Sequence, residues 1–394
     1  MKKSEIELRY GCNPHQKPAR VYVQDGLLPF EVLNGAPGHI NMLDALNAWQ
    51  LVRELRQALN LPAAASFKHV SPAGAAVGIP LSDDLRKSYF VEDMDLSPLA
   101  SAYARARGAD RLSSFGDWIA LSDEVDVSTA NLIRLEVSDG VIAPAYDPQA
   151  LQILCEKKQG RFVVIQMDPA YEPEEMEIRD VFGVMLEQKR NSAVINAVID
   201  ARMLDNVVTD GAYPPSAVRD LLVAQAALKY TQSNAICLAV DGQVIGVGAG
   251  QQSRIHCTRL AASKADLWHL RRHPAVLALP FREGLSRAER NNAVDLYLRD
   301  DLTPAEEAFW EEHFDVVPAR LSPQEKRDWL DRLDHVALAS DAFFPFRDCI
   351  DRASQSGVRY VVQPGGALRD DVVIEACEAY DMTMSFTGVR LFHH

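Results

Sequence analysis

The sequence predicts an α/β fold made of two similar halves, because strand-like and helix-like segments alternate in the same order twice. In each half, three apolar runs typical of strands are separated by two segments with helical spacing. In the first half these are strand 115–122, helix 127–137, strand 140–146, helix 148–158 and strand 161–167; in the second they are strand 335–346, helix 347–356, strand 358–366, helix 369–380 and strand 382–388. The shared order predicts an internal duplication.

Each half also opens in the same way, with a helix that leads into a strand. Residues 41–59 have helical apolar spacing and precede the predicted strand 63–70. Residues 216–230, with Ser216 as the predicted N-cap, precede the predicted strand 234–240.

Two polar connectors, one starting at residue 168 and one ending at 216, divide the chain. We therefore predict a first half at 1–168, an insert or linker at 169–215 and a second half at 216–394.

Composition narrows the function classes. The 394 residues are 47% hydrophobic and carry a formal charge of −14, which argues against non-specific binding to nucleic acid or to an anionic membrane. The six cysteines form no Cys-x-x-Cys pair, as is typical of a reduced, cytoplasmic protein. The first residues lack the apolar core of a signal peptide, and no apolar run is long enough to span a bilayer.

The stretch "SFKHVSPAG" places two titratable side chains together at the end of a predicted strand. Lys68 and His69 follow an apolar run, and Ser71-Pro72 has the pattern of an N-cap followed by the first residue of a helix. A titratable pair at such a point in an α/β sheet is a candidate site. The alternative is a solvated strand end with no chemistry.

Residues 235–250 predict a β-hairpin with an Asp241-Gly242 turn. The alternating glycines at 246–250 match neither the dinucleotide fingerprint nor a phosphate loop, so close backbone packing is the favoured interpretation. Arg254 follows them and can bind a phosphate or a carboxamide, or form a surface ion pair. No zinc-deaminase or other zinc signature is present, and no metal is predicted.

Aromatic side chains cluster at the end of a predicted strand in "SDAFFPFRD". Adjacent aromatics are usually core residues, but at least one could stack on a flat heterocycle, and Asp348 could accept hydrogen bonds from it. The last residues, "GVRLFHH", predict a docked strand that carries Arg390.

Together these stretches resemble one family closely: the formyltransferase region of the bifunctional purine-biosynthesis enzymes. The resemblance runs from Leu8 to His394, and the blocks that carry it are "LRYGCNPHQKPA", "VLNGAPG", "DALNAWQLV", "AAASFKHVSPAGAAVG", "AYARARGADR", "SSFGDW", "EVSDGVIAP", "KYTQSNA", "GAGQQSRIHCTRLA", "SDAFFPFRD" and "RLFHH". It implies transfer of a formyl group from 10-formyltetrahydrofolate, the co-substrate, to the 5-amino group of 5-aminoimidazole-4-carboxamide ribonucleotide (AICAR). The products are formyl-AICAR and tetrahydrofolate.

The resemblance also implies a fold and partners. The family's transferase region is a duplicated, zinc-free relative of the cytidine deaminase fold, and it acts as a homodimer with sites at the interface. In bifunctional members an IMP cyclohydrolase domain precedes the motif that here begins at Arg9. We therefore expect formyl transfer without ring closure, and a separate IMP cyclohydrolase acting on the product.

By the same resemblance, His69 is the general base, because imidazole titrates near neutral pH. Lys68 stabilises the developing oxyanion, and Asn234 orients the carboxamide and the formyl oxygen. The remaining expected contacts are with the substrate phosphate (Arg9, Tyr10, Arg390), its carboxamide (Arg254), its ribose side (Gly116, Asp139), a stacked ring (Phe343) and the folate pocket (Ile255, Asp348, Ala367, Leu368).

A second departure from the family pattern and an alternative function stand beside this prediction. Leu368 is bulkier than the small residues that the family often has where the folate packs. The alternative function is a catalytically inert regulator that binds purine nucleotides. The intact set of Lys68, His69 and Asn234 argues against it, because a binder has no need of all three.

Overall fold

One continuous sheet of eleven strands organises the molecule. The computed structural model describes residues 3–193, 204 and 206–394. The strands are β1 Glu5–Leu8, β2 Ala19–Tyr22, β3 Phe30–Asn34, β4 Ala63–Lys68, β5 Ser71–Val77, β6 Asp117–Leu121, β7 Ser138–Ala143, β8 Val163–Met167, β9 Met176–Val181, β10 Val184–Lys189, β11 Ile236–Val240, β12 Gln243–Gly248, β13 Val336–Ser340, β14 Val358–Gln363 and β15 Thr383–Phe386. The large sheet has the order β15-β14-β13-β11-β12-β5-β4-β6-β7-β8-β3, while β1–β2 and β9–β10 form separate two-stranded sheets.

Helices cover both faces of this sheet, so the predicted α/β class is confirmed. They are α1 His39–Leu59, α2 Asp83–Ser88, α3 Pro98–Gly108, α4 Val127–Leu135, α5 Pro148–Glu156, α6 Pro215–Lys229, α7 Arg254–Leu270, α8 Pro274–Leu277, α9 Arg287–Leu298, α10 Pro304–Glu311, α11 Pro323–Leu330, α12 Asp348–Ser354 and α13 Asp370–Ala379. Helices α1 and α6 pack on one face, and α3, α4, α5, α7, α12 and α13 contribute to the core on the other. A third, smaller core lies among α8 to α11.

The two sides of the sheet have the same strand order. β5-β4-β6-β7-β8 on one side corresponds to β12-β11-β13-β14-β15 on the other, with the first three strands antiparallel and the outer ones parallel in both. The sides join where β5 and β12 pair antiparallel at Gln243 and Ala76. A common origin with the cytidine deaminase fold stays a prediction.

The glycines of β12 allow α7 to lie directly against the sheet. A Cβ atom at Gly246 would lie 2.1 Å from the carbonyl oxygen of Ala261, and one at Gly248 would lie 2.2 Å from that of Cys257. Real Cβ atoms are not found so close to backbone, so only glycine fits at these two positions. The packing interpretation of these glycines is confirmed.

Three local predictions were wrong. Ser71-Pro72 does not begin a helix: both residues lie in β5, where Pro72 is opposite an irregularity in β4 at Ser66/Phe67 and its missing N–H is tolerated. Ser216 is not the N-cap, because Pro215 occupies the first helical turn and Pro214 precedes it in extended conformation.

The third wrong prediction is the strand at the end of the chain. Residues 388–394, with Arg390, form no strand. Hydrogen bonds hold this tail instead: the N–H of Leu391 donates to the carbonyl of Asp341 at 2.9 Å, and Ser233 and His393 exchange two hydrogen bonds of 3.0 Å each.

Candidate active site

Most of the predicted site residues lie at one edge of the large sheet. The strand directions place the end of β4, the starts of β6, β7 and β11, and the ends of β12, β13 and β14 at this edge. Lys68 therefore shares an edge with Gly116 and Asp139 on one side, and with Asn234 and Arg254 on the other. Two polar groups result, one on each side of the sheet.

The first group is built on the tight turn between β4 and β5. Lys68 pairs with Ser71, so His69 and Val70 alone form the turn, with φ angles of 53° and 61°. Positive φ at both central residues defines a type I′ turn, which normally selects Asn, Asp or Gly. The turn exposes His69, whereas Lys68 is half-buried and donates from Nζ to the carbonyl of Gly116 at 2.9 Å.

A carboxylate that the sequence prediction missed supports this turn. Asp44 in α1 is buried and accepts a hydrogen bond from the N–H of Val70 at 2.7 Å. Burial raises the pKa of Asp44 to about 6, although the Val70 N–H and the charges of His69 and Lys68 oppose the rise. The signal was an acidic residue among apolar ones in "NMLDALNAW". Asp139, which also acts on Asp44, is exposed and pairs with Lys158 at 2.8 Å.

The second group consists of Asn234, Arg254 and Asp341. The Arg254 guanidinium donates to Asn234 Oδ1 at 2.9 Å and to the carbonyl of Ala235 at 2.9 Å, and it forms a buried ion pair with Asp341. The amide nitrogen of Asn234 donates to the carbonyl of Gln251 at 2.7 Å. The Asn234 side chain is thus fixed in orientation from two sides.

Asp341 is the second residue that the sequence prediction missed. It lies directly after β13, and its Oδ2 accepts the N–H of Ala235 at 3.0 Å while Oδ1 faces Arg254. From the stretch "SDAFFPFRD" the sequence prediction names Phe343 and Asp348, and it does not name Asp341. A buried aspartate that binds both an arginine and a backbone N–H holds the start of β11 against α7.

The two groups approach each other where β5 begins. The N–H of Gln232, two residues before Asn234, donates to Ser71 Oγ at 3.5 Å, and Ser71 follows the turn of His69 and Val70. One chain therefore presents both polar groups at the same edge of the sheet, joined by this single contact.

The remaining folate-side residues follow the ends of strands or open helices. Ile255 is half-buried in the first turn of α7. Phe343 is 44% exposed, and Leu368 is fully exposed. Ala367 donates its N–H to Asp370 at 3.1 Å. Asp348 begins α12, and its Oδ1 is buried.

The structure does not bring Arg9, Tyr10 and Arg390 together within one chain. Arg9 and Tyr10 line a cavity of about 660 Å³ beside β1 and β3. Arg390 lines another, of about 700 Å³, next to the β9–β10 hairpin, where its guanidinium lies 4.6 Å from the ring centre of Phe392.

Neither a metal site nor a membrane-spanning helix is found among the described residues. Within residues 3–193, 204 and 206–394, no three His, Cys, Asp or Glu side chains are placed to hold a metal ion. Among the helices of that same part of the chain, none has the length and apolar character needed to cross a membrane.

Fold and site define an α/β protein with a titratable pair and a fixed amide–guanidinium pair at one edge of its sheet. The chain belongs to the AICARFT/IMPCHase bienzyme family, whose model matches residues 1–264. Its relatives include proteins named bifunctional purine biosynthesis protein PurH, from Magnetococcus marinus (33% identical), Xylella fastidiosa (32%) and Lactobacillus acidophilus (29%). Each alignment covers 98% of this chain but only 58–59% of the relative, so the chain spans about three fifths of their length.

Proposed function

We propose that this protein transfers the formyl group of 10-formyltetrahydrofolate to the 5-amino group of AICAR, a step of purine biosynthesis. The observation that carries the proposal is the His69–Val70 turn: it exposes a base beside a cation at the sheet edge, in a chain of this family. The proposed setting is the cytoplasm.

The chemistry needs one proton acceptor and one cation. The AICAR amine is a weak nucleophile, because its lone pair is drawn into the imidazole carboxamide. His69 takes the proton from this amine as the nitrogen bonds to the formyl carbon. Lys68 stabilises the oxyanion and assists the departure of tetrahydrofolate N10. As the bond between N10 and the formyl carbon breaks, N10 gains the proton that His69 took from the amine, so tetrahydrofolate leaves as a neutral amine. The Gly116 carbonyl already orients the Lys68 ammonium.

The second group supplies recognition. Asn234 orients the carboxamide and the formyl oxygen, and Arg254 holds Asn234 while it binds near the carboxamide. Because Asp341 fixes Arg254, this part of the site needs little reorganisation when the substrate binds.

The other residues are assigned roles by the same proposal. Phe343 presents an exposed ring for stacking, and Asp348, at the start of α12, is proposed to accept a hydrogen bond from the folate. The rest are proposed to bind the substrate phosphate (Arg9, Tyr10, Arg390), the ribose side (Gly116, Asp139) and the folate (Ile255, Ala367, Leu368).

A homodimer with shared sites completes the proposal. The β9–β10 hairpin exposes apolar side chains on both strands, among them Ile178, Val184 and Leu186, and Phe182 at its tip is fully exposed. Such a surface is typical of an interface, and a second copy of this chain is its proposed occupant. A partner subunit would also bring Arg390 of one copy to the phosphate site of the other.

Complementation tests the shared site. His69→Ala and Asn234→Ala are each expected to be inactive. If the two residues meet across the interface, co-refolding the variants restores up to about a quarter of wild-type activity, because about half of the dimers are mixed and each has one intact site. Mixed dimers that form and stay inactive place both residues in one subunit's site.

The central experiment incubates the protein with AICAR and 10-formyltetrahydrofolate and follows tetrahydrofolate and formyl-AICAR. Release of both supports the proposal. Binding of AICAR without turnover supports the inert regulator instead. IMP formed without an added cyclohydrolase contradicts formyl transfer as the sole activity of this chain.

A further inference from the structure

The two hairpins of the sheet are held by carboxylates at equivalent positions. Asp44 is five residues after the start of α1, and Asp220 is five residues after the start of α6. Asp44 accepts the N–H of Val70, the second residue of its turn, at 2.7 Å. Asp220 accepts the N–H of Gly242, the second residue of its own turn, at 2.6 Å, and that of Asp241 at 2.8 Å.

The surroundings of the two carboxylates differ. Asp220 is paired with its neighbour Arg219 at 2.9 Å, and the turn that it holds carries no proposed site residue. The charged groups that act on Asp44 are Lys68 at the end of β4, His69 on the turn and Asp139 on β7, all of them proposed site residues. Both halves therefore use a buried carboxylate to hold a turn, but only the turn held by Asp44 carries a proposed site residue.

We propose that Asp44 is a positioning residue for formyl transfer: its carboxylate holds the His69–Val70 turn through the Val70 N–H and stabilises the positive charge that His69 gains with the proton. Asp44 is buried beneath the turn and acts through His69, without touching the substrate. This inference rests on the proposed function.

The charge of Asp44 is available where the enzyme works. Because the pKa of Asp44 is about 6, the carboxylate is ionised at neutral pH and above. The backbone bond to Val70 and the cationic neighbours both favour the ionised form. The ionised Asp44 therefore stabilises the imidazolium of His69 from beneath the turn. Asp220 differs, because Arg219 pairs with it, whereas Asp44 forms no ion pair with an arginine among the described residues.

Three variants test the inference. In Asp44→Asn the amide oxygen can still accept the Val70 N–H, but the charge is lost; in Asp44→Ala both are lost. Asp220→Asn is the matched control at the equivalent turn. We expect Asp44→Asn to lower kcat by roughly 10²-fold, because the turn is still held but the charge that stabilises the imidazolium is lost, with KM for AICAR changed by less than about threefold. Asp220→Asn is expected to lower Tm and leave kcat within about twofold.

A second readout does not need activity. Hydrogen exchange at the Val70 amide is expected to be faster in Asp44→Ala than in Asp44→Asn or the wild type. If exchange at Val70 is unchanged in Asp44→Ala, the claim that Asp44 holds the turn is wrong. An Asp44→Asn enzyme with wild-type kcat, or an equal loss of kcat in Asp220→Asn, overturns the catalytic part. If the wild type itself transfers no formyl group, the proposed function fails, and the exchange result still decides whether Asp44 holds the turn.

Discussion

The turns at residues 69–70 and 241–242 occupy equivalent places in the sheet but are made of very different residues. Both have positive φ at both positions, 53° and 61° in the first and 51° and 70° in the second. Asp-Gly suits this geometry, whereas a β-branched valine at φ 61° is strained. The turn at 69–70 therefore accepts a local cost that its counterpart avoids. Such costs persist at functional sites, and the exposed His69 is what this turn presents.

The largest expected difference between the turns is catalytic. His69→Ala is expected to lower kcat by about 10²–10⁴-fold with a smaller effect on AICAR binding, because the general base acts in the transition state. Steady-state kinetics of tetrahydrofolate release measures this. Asp241→Ala at the other turn is the control and should keep wild-type kcat. Near-normal kcat in His69→Ala would show that His69 is not the base.

The next largest effect comes from giving the second turn the residue type of the first. Gly242→Val introduces at the second turn the residue type found at Val70. A Cβ atom there would lie 2.5 Å from Ile79 Cδ1 and 2.9 Å from Val77 Cγ2, at a φ that valine disfavours. We expect the free energy of unfolding to fall by about 2–4 kcal/mol. Denaturant unfolding measures this change, and a loss of less than about 1 kcal/mol would show that strain at these turns costs little stability.

A pH effect follows from the burial of Asp44. The folded-state pKa of Asp44 is raised from 3.8 to about 6, so the folded protein holds this proton more tightly than the unfolded chain. The stabilisation is complete below pH 3.8 and is lost as the pH rises through about 6. Asp44→Asn should remove this dependence, which is worth at most about 1.4 kcal/mol for each unit of the pKa rise. The difference in Tm between Asp44→Asn and the wild type should therefore shift in favour of the variant between pH 4 and pH 8, and parallel curves would contradict this.

The smallest expected effect is relief of strain. Val70→Gly replaces a β-branched residue at positive φ with the residue that adopts it freely. The relief of strain is partly offset by the greater freedom of glycine in the unfolded chain and by the lost contacts of a half-buried side chain. We expect the free energy of unfolding to rise by about 0.5–1 kcal/mol. Thermal unfolding would detect it, with Val70→Ala as the control that keeps the strain. A destabilised Val70→Gly would mean that the valine contributes more by packing than it costs in the backbone.

The same contrast explains what the sequence could predict. The hairpin at 235–250 was predicted because Asp241-Gly242 has the preferred turn residues, and it is confirmed. The hairpin at 63–77 was not predicted. His and Val are residues that rarely adopt the positive φ angles of this turn, and Ser71-Pro72 has the pattern of a helix start. Only the pairing of β4 with β5 and β6 overrides those local preferences.

The site shows a similar division. Arg254 and Asn234 were named from sequence blocks, and the structure places them in contact at 2.9 Å. Asp44 and Asp341 were missed because their roles depend on partners 26 and 87 residues away. A helix pattern marks Asp44 as an acidic residue on an apolar face but cannot show the Val70 N–H that it binds.

The glycines of β12 have a consequence for genetics. Every single-base change in a glycine codon that alters the amino acid either adds a Cβ atom or stops translation, and at Gly246 and Gly248 that atom would fall within 2.2 Å of the α7 backbone. A saturation mutagenesis screen for the proposed formyl transfer is therefore expected to rank these two positions with His69, although their role is to let α7 pack against the sheet. Intolerance to substitution in this protein thus marks two unrelated requirements, and measuring the amount of folded protein for each allele is what tells them apart.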